Sequence, residues 1–289
     1  IWFEGLAVLR IAKSLGINKR LGQGTVYGAA DVYFSAITPS ASGGQPASAY
    51  FMMRDGMAAS TVTIILILNL MMYNLALLLV MVAAILIFGK MLFHLSIGVK
   101  ILFGVGVIIL IGLCLIFYML LAKEKILFGI FDWLLRILER IRIVKNGDKW
   151  RKKLNRSMGN YKECSKIMSQ DKRMLVESLL CNLMQRLSQL GVSFCIFMAF
   201  GKGLMTSVQS MAMQTFVAVG SNCIPIPGAM GVADYIMLDG FTGLVGAAEA
   251  PHMELLCRGI MFYGCVLTGG VLTLIGYVRR REKENAGVL

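Results

Sequence analysis

Four long apolar runs dominate this chain. No charged residue occurs from Val62 to Phe88 or from Ile101 to Ala122. Met174–Phe200 contains two charged residues, and Leu255–Val278 contains one. About 20 apolar residues in a helix cross the ~30 Å hydrocarbon layer of a membrane, and core helices of soluble domains are rarely so long and uniform. The four runs therefore predict transmembrane helices.

The basic residues predict how these helices are oriented. Of the 29 Lys and Arg residues, fifteen lie between Lys123 and Arg173, and smaller clusters lie at 10–20 and 279–283. Cytoplasmic loops of membrane proteins carry an excess of Lys and Arg. We therefore expect a multi-pass protein of the cell membrane whose three basic segments, including the C-terminus, are cytoplasmic. There they lie beside anionic lipid head groups, so the net charge of +13 indicates no nucleic acid.

The basic segment 126–173 is predicted to stay on the cytoplasmic side. Its first part, Ile126–Val144, has charged side chains on one helical face and apolar side chains on the rest. This pattern predicts a helix that lies in the membrane interface. The polar stretch that follows is predicted to be a connector, too short for a catalytic domain.

The segment 24–56 must enter and leave the membrane from the same side, because two spans follow it before the chain returns to the cytoplasm. It holds two short apolar pieces, Val26–Ile37 and Ala47–Met53, separated by TPSASGGQP. A helix of twelve residues, the length of the first piece, reaches only about 18 Å. We predict a re-entrant helical hairpin whose second helix begins near Pro46.

The segment 205–245 must likewise start and finish on one side, here the outer one. PIPGAMG, residues 225–231, interrupts it near its middle, so we predict a second re-entrant hairpin. Sliding the first segment by 185 positions places Gly43 on Gly228 and Tyr50 on Tyr235. Inverted repeats with discontinuous helices are typical of transporters.

The predicted fold is an all-α integral membrane protein. It is a polytopic helical bundle in which two re-entrant broken-helix hairpins enter from opposite faces as an inverted repeat. Residues 1–289 form a single transmembrane domain. The first residues, IWFEGLAVL, resemble the end of a helix already under way, so further helices are expected upstream.

The first break presents hydroxyl and amide groups beside a helix N-terminus. Free N–H groups and the positive end of the helix dipole point into such a break, which favours an anion such as phosphate. The alternative is a tight turn in which the hydroxyl groups bond only to the nearby backbone. The candidate binding residues are Thr38, Ser40, Ser42, Gly43, Gly44, Gln45 and Pro46.

The second break offers close backbone approach at its glycines and a carboxylate one turn into the next helix. A carboxylate at a helix N-terminus is also an ordinary partner of the helix dipole. The candidate binding residues are Pro225, Pro227, Gly228, Gly231 and Asp234.

Two arginines lie inside the predicted spans. Arg186 is twelve residues into its span, and Arg258 is about one turn into the last span. Ionisable residues at membrane depth usually face the bundle interior and carry function. We predict that Arg258 pairs with Asp234, which leaves Arg186 to bind a ligand phosphate. A purely structural ion pair or a snorkelling side chain is the alternative.

Nothing in the sequence indicates a metal, a cofactor or a catalytic residue. The seven cysteines are scattered and never spaced as C-x-x-C, and the only histidines are His94 and His252. The motifs H-E-x-x-H, G-x-S-x-G and the Walker loop are absent.

The two breaks carry a resemblance to a known family. ITPSASGGQPASAYFMMRDG, residues 37–56, resembles the signature T-P-x-x-x-G-G-x-P of the lysylphosphatidylglycerol synthase transmembrane family. PIPGAMGVAD, residues 225–234, is similar to its second signature, P-x-P-G-G-x-G-x-x-E. Ala229 replaces the second glycine, and Asp234 stands where glutamate is usual. The family includes the flippase domain of MprF-type proteins and stand-alone relatives.

The resemblance implies a flippase-like transporter of an anionic or aminoacylated phospholipid such as lysyl-phosphatidylglycerol. The alternatives are a lipid-modifying enzyme or subunit, a phosphatidylglycerol lysyltransferase by family label, that needs a soluble partner, and a scaffold that recruits another membrane enzyme. The expected partners are membrane phospholipids with anionic head groups, and a second copy of the chain or a separate synthase.

Overall fold

The fold is a bundle of α-helices. A computed structural model describes residues 1–122, 166, 171–222 and 224–285, and every regular element in these ranges is helical. Most of the predicted cytoplasmic segment 126–173 lies outside the described residues. The all-α membrane bundle predicted from the sequence is confirmed.

Residues 1–122 form six helices. A 3₁₀ turn, Pro39–Ala41, separates the second helix from the third. The helices are α1 (Trp2–Ser14), α2 (Leu21–Ile37), α3 (Gly44–Arg54), α4 (Ala59–Phe88), α5 (Met91–His94) and α6 (Ile97–Ala122).

The second half has a similar arrangement. A 3₁₀ turn, Pro227–Ala229, again separates two helices, and a π-helical turn, Gly259–Gly264, interrupts the last long helix. The helices are α7 (Lys172–Ala199), α8 (Leu204–Ser221), α9 (Val232–Val245), α10 (Ala250–Arg258) and α11 (Cys265–Asn285).

Three described helical stretches are long and apolar enough to cross a membrane: Ala59–Phe88, Ile97–Phe117 and Ala250–Glu282. Their outward side chains, such as Leu86 and Leu267, are apolar and largely exposed. The fourth predicted span, Met174–Phe200, forms the 28-residue helix α7 but is less apolar than the other three. Several polar side chains of α7, among them Asn182, Gln185 and Arg186, instead lie inside the bundle.

The two breaks follow the same backbone path through their 3₁₀ turns and diverge after them, where the ψ angles of Ser42 and Met230 are −20° and 140°. Thr38 and Ile226 are extended, with φ/ψ of −112°/147° and −113°/136°, and a proline follows each. Ser40 and Gly228 come next, both in the left-handed region at φ/ψ of 53°/28° and 59°/13°. Pro227 lies 188 positions after Pro39. The helices that follow begin at the same offset, at Gly44 and Val232.

The offset of 185 positions expected from the sequence was therefore wrong by three residues. It matched Gly43 to Gly228 because both are glycines. In the first break a serine, Ser40, occupies the left-handed position that Gly228 occupies in the second. Glycine is the residue that usually marks such a position, so a serine there conceals the register.

The contacts between helices repeat in the same way. In the first half α1 packs on α2, α2 on α3, α3 on α4, and α1 on α4. In the second half α7 packs on α8, α8 on α9, α9 on α10, and α7 on α10. The two 3₁₀ turns contact each other. The chain thus contains an internal structural repeat, and its orientation across the membrane remains a prediction.

Two apolar cores lie on either side of a polar layer. One core includes Tyr27, Phe51 and Ile65 from α2, α3 and α4. The other includes Phe197 of α7 and Phe216 of α8. Helices α4 and α7 contribute to both cores. Between the cores these two helices bury polar side chains: Asn69, Asn74, Ser178, Asn182, Gln185 and Arg186.

Candidate functional site

A cavity of about 590 Å³ lies between the two breaks. Its wall includes both 3₁₀ turns, the π-helical turn and residues of helices α1, α2, α4, α7 and α8. A smaller cavity of about 180 Å³ shares Arg186 and Gly228 with it and is also lined by Arg258. The large cavity has the size of ordinary small-molecule sites. Its polar lining includes Glu4, Asp31, Ser40, Gln45, Asn69, Tyr73, Asn74, Gln185, Arg186 and Gln189.

Arg186 lines both cavities without a counter-charge. Its side chain is only 9% exposed, and no described carboxylate forms an ion pair with it. One guanidinium nitrogen donates a hydrogen bond of 3.2 Å to Gln189 Oε1, and the guanidinium carbon lies 4.0 Å from the ring centre of Tyr73. The Nε donor has no partner within the described residues. An unpaired buried charge is strongly unfavourable, so this arrangement suits an anionic ligand.

A pair of carboxyl groups lies elsewhere in the cavity wall. Glu4 is 5% exposed and accepts hydrogen bonds from Asn69, at 3.0 Å, and from Gln185. The side chain of Asp31 lies within hydrogen-bonding reach of Glu4 and accepts a bond of 3.2 Å from Ser35. In the part of the chain that the structure describes, no basic side chain forms an ion pair with either carboxyl group.

Close packing of α1 on α2 positions this carboxyl pair. A Cβ atom on Gly5 would overlap the carbonyl group of Gly24, and one on Gly28 would lie 2.5 Å from the carbonyl oxygen of Ile1. Because glycines stand at these points, the two backbones approach closely. Glu4 is thereby held against α2, where Asp31 lies one turn beyond Gly28.

The predicted pairing of Arg258 with Asp234 is confirmed. Arg258 donates hydrogen bonds to Asp234 and, at 2.9 Å, to the carbonyl oxygen of Gly228. Asp234 also accepts a bond of 2.7 Å from the backbone N–H of Gly231 at the start of α9. The pair therefore connects α10 to both sides of the second break and stabilises its shape.

The candidate residues of the first break have different positions. Ser40 and Gln45 line the large cavity. Thr38 donates to the carbonyl of Phe34 at 2.6 Å and accepts from Gly43 N–H at 2.8 Å. The hydroxyl of Thr38 thus satisfies the backbone locally, as the alternative interpretation proposed.

The start of α3 also differs from the expectation. The helix begins at Gly44, two residues before Pro46. A Cβ atom on Gly44 would overlap the carboxyl group of Asp31, so the protein's own acidic side chain lies against this helix N-terminus. Ser42 and Pro46 are exposed and do not line the cavity. An anion site at this terminus remains a prediction.

The second break contributes less to the cavity wall than the sequence suggested. Gly228 lines both cavities, whereas Pro225, Pro227 and Gly231 line neither. Asp234 acts through Arg258. The binding roles of all these residues remain predictions. Among the described residues, no cluster of three His, Cys, Asp or Glu side chains is placed to hold a metal ion.

Several polar cavity residues were not identified from the sequence, among them Glu4, Asp31, Asn69 and Gln185. The sequence does contain a signal for Glu4 and Asp31, because each is an acidic residue in an apolar stretch. Glu4 stands in the apolar stretch IWFEGLAVL, and Asp31 is the only charged residue of Val26–Ile37. An acid inside an apolar helix is as strong an indication of function as an arginine, so Glu4 and Asp31 could have been predicted on the same ground as Arg186.

Comparison with known proteins identifies the family. Residues 2–269 match the family described as Lysylphosphatidylglycerol synthase TM region. No curated protein and no solved structure matches the chain. The matched region contains both breaks and every residue that lines the two cavities. Together with the apolar helices, the match shows a membrane protein whose function is related to lipids. The chain belongs to the lysylphosphatidylglycerol synthase transmembrane family.

Proposed function

We propose that this chain is a flippase-like transporter in the cell membrane that moves an anionic or aminoacylated phospholipid, of the lysyl-phosphatidylglycerol type, between leaflets. The observation that carries the proposal is the buried, unpaired Arg186 in the wall of a polar cavity between two helix breaks. The head group occupies this cavity with its phosphate on Arg186, while the acyl chains stay in the surrounding lipid.

The charge of the site favours a phosphate-bearing ligand. Removing a guanidinium group from water and leaving it unpaired is unfavourable by several kcal/mol, and a phosphate that accepts its hydrogen bonds offsets this. The planar guanidinium group binds two phosphate oxygens at once. Ser40 and Gln45, which also line the cavity, supply further donors.

The backbone of the site supports movement of the ligand rather than static binding. Irregular backbone at membrane depth is tolerated where it is buried in protein or lines a water-filled cavity. Here the 3₁₀ turns of two such breaks, which share their backbone conformation, contact each other at the cavity. In transporters built from inverted repeats, substrate sites lie where the discontinuous helices of the two repeats meet.

Reconstitution into liposomes tests the proposal. The liposomes carry labelled phosphatidylglycerol, lysyl-phosphatidylglycerol or a polyprenyl phosphate, and exchange between leaflets is measured. We expect protein-dependent exchange that Arg186→Ala reduces at least tenfold, with Arg186→Lys intermediate because an ammonium group keeps the charge but loses the planar fork. Arg173→Gln, at an exposed position on the same helix, is the matched control and should retain the wild-type rate.

Two outcomes contradict the proposal. The first is a wild-type rate of exchange in Arg186→Ala. The second is no exchange of any of these lipids by the folded protein, which would favour an enzyme subunit that needs a soluble partner. Arg258→Ala is expected to abolish exchange as well, but with a lower melting temperature, because it removes the bonds to Asp234 and Gly228.

A further inference from the structure

The carboxyl pair of Glu4 and Asp31 has no role in binding a phosphate. Both side chains line the cavity that contains Arg186, and they are in contact with each other. Two carboxyl groups this close do not both ionise in a protein interior without a cation. None of the described basic side chains forms an ion pair with them, and a shared proton would offset their repulsion in the empty cavity.

Besides the groups that donate hydrogen bonds to the pair, its surroundings contain acceptors without a partner among the described residues. Gln185 donates to Glu4 through Nε2, but its Oε1 atom has no partner, although the residue is only 8% exposed and lines the cavity. Asn182, fully buried, donates to Asn69 and likewise leaves its Oδ1 atom unpaired in the described structure. The free acceptor of Gln185 lies beside Glu4 in the cavity wall, and such an acceptor next to two carboxyl groups is what a cationic N–H donor requires.

We propose that the Glu4–Asp31 pair is a proton-exchange site, which releases its proton when a primary ammonium group of a lipid head group enters and takes up a proton when that group leaves. The inference rests on the proposed transport function and extends it to the amine-bearing class of phospholipids. No covalent bond changes. The proton passes to water, the ammonium group donates hydrogen bonds to both carboxylates, and the charge of the pair with its cation is conserved.

The other charged groups near the pair fit this exchange. Arg186 of α7 follows Gln185 directly and lines the same cavity, so the phosphate and the ammonium group of one head group have separate partners. The N-terminus of α3, at Gly44, lies against Asp31 and favours its ionised form once the cation is bound. Helix α4 presents no charged side chain to the cavity, and Arg280 of α11 is paired with Asp55.

Calorimetry on the purified full chain in detergent tests the exchange. The probes are dihexanoyl phosphatidylethanolamine and dihexanoyl lysyl-phosphatidylglycerol, with amine-free dihexanoyl phosphatidylglycerol as the matched lipid. Titrations in two buffers of different ionisation enthalpy give the number of protons released. We expect about one proton per bound amine lipid, an affinity that rises up to about tenfold per pH unit, and no proton release with phosphatidylglycerol.

Variants of Glu4 and Asp31 test whether the released proton comes from this pair. Glu4→Gln and Asp31→Asn should each remove the proton release and the preference for amine lipids, while phosphatidylglycerol still binds. Glu177→Gln removes a carboxylate of α7 that is paired with Arg10 and Arg173, and should behave as wild type.

The wild-type protein alone can overturn the inference. Equal affinity for amine and amine-free lipids without proton release overturns it, and so does a folded protein that binds no amine lipid. Both results are independent of leaflet exchange in liposomes. A protein that exchanges lipids without releasing protons would therefore refute this inference and leave the transport function standing.

Discussion

At the scale of single residues, the best-satisfied ion pair lies away from the cavity. Asp55 follows α3, and Arg280 of α11 donates to its two oxygens at 2.8 and 2.6 Å. The side chains of Arg280 and Asp55 are only 8% and 6% exposed, and Tyr27 also donates to Asp55. This group connects α2, the end of α3 and the last helix.

The Asp55–Arg280 pair predicts a loss of stability in acid. Burial alone would raise the pKa of Asp55, but the hydrogen bonds from Arg280 and Tyr27 and the charge of Arg280 together lower it below its ordinary value. A carboxylate whose pKa is lower in the folded state stabilises the protein above its unfolded pKa, near 4, and loses this contribution as the pH falls through the folded pKa. We expect the melting temperature in detergent to fall as the pH is lowered below about 4.

Asp55→Asn separates this contribution from general acid unfolding. The variant leaves Arg280 buried without a counter-charge, which is destabilising by about 3–5 kcal/mol at neutral pH. Its melting temperature should therefore start lower and decrease less steeply in acid than that of the wild type. Parallel curves for the two proteins would show that Asp55 does not titrate as described.

Ala229 is strained by the turn it occupies. Its φ is 48°, in the left-handed region, where an L-residue other than glycine is less stable by about 1–2 kcal/mol. This is the position where the family signature has a second glycine. We expect Ala229→Gly to raise the melting temperature, with a gain of up to about 1 kcal/mol.

The matched control is Ala218→Gly in α8, since Ala218 is also partly buried against the same apolar core. Ala218 lies within a regular helix, where glycine is less stable than alanine by about 1 kcal/mol. We expect the melting temperature to rise in Ala229→Gly and to fall in Ala218→Gly. A loss of stability in both would mean that the methyl group of Ala229 contributes more through packing than its backbone conformation costs.

At the scale of elements, α6 and α8 depend on one glycine to pack together. A Cβ atom on Gly106 would overlap the carbonyl oxygen of Val219, whereas one on Gly104 would meet nothing within 4 Å. We expect Gly106→Val to separate the two helices and to lower the melting temperature and the yield of folded protein. Gly104→Val, on the same helix, should change neither. Similar stability of the two variants would contradict this packing.

Much of the element order followed from the sequence because apolar runs and Pro-Gly breaks have a direct physical meaning. The runs Val62–Phe88 and Ile101–Ala122 became α4 and α6, and the interrupted segments became two pairs of helices around 3₁₀ turns. The π-helical turn at 259–264 was not foreseen, because no proline interrupts the apolar pattern there. Gly104 and Gly106 of α6 are equivalent in the sequence pattern, since only the position of α8 distinguishes them.

The candidate site was predicted in part. The breaks, Arg186 and the Arg258–Asp234 pair followed from the rule that charges and irregular backbone within a membrane need partners. The role of Thr38 did not, because a hydroxyl group beside a break satisfies either the backbone or a ligand, and only geometry decides. Glu4 and Asp31 belong to different helices, and their contact depends on the glycines that bring α1 and α2 together.

At the scale of the whole molecule, the orientation in the membrane is the main testable expectation. Lys90, exposed after α4, should be outside, whereas Lys13 of α1 and Arg281 of α11 should be cytoplasmic. We expect a membrane-impermeant maleimide to label Lys90→Cys in intact cells, and to label Lys13→Cys and Arg281→Cys only after permeabilisation. Parent protein without the new cysteine corrects for labelling of the native thiols. The reverse pattern would invert the topology.

The 3₁₀ turns of the two breaks share one backbone path in one register, which bears on how a transporter of this shape would divide its time between the two sides of the membrane. If the proposed transporter exchanges the conformations of its two halves, the shared path of the turns contributes little to the difference between the two arrangements. Side chains then decide what fraction of the empty protein faces each side of the membrane. They differ between the halves, since Asp31 stands 188 positions before Val219. A substitution at Asp31 that leaves the fold intact would thus change which side of the membrane the empty protein faces.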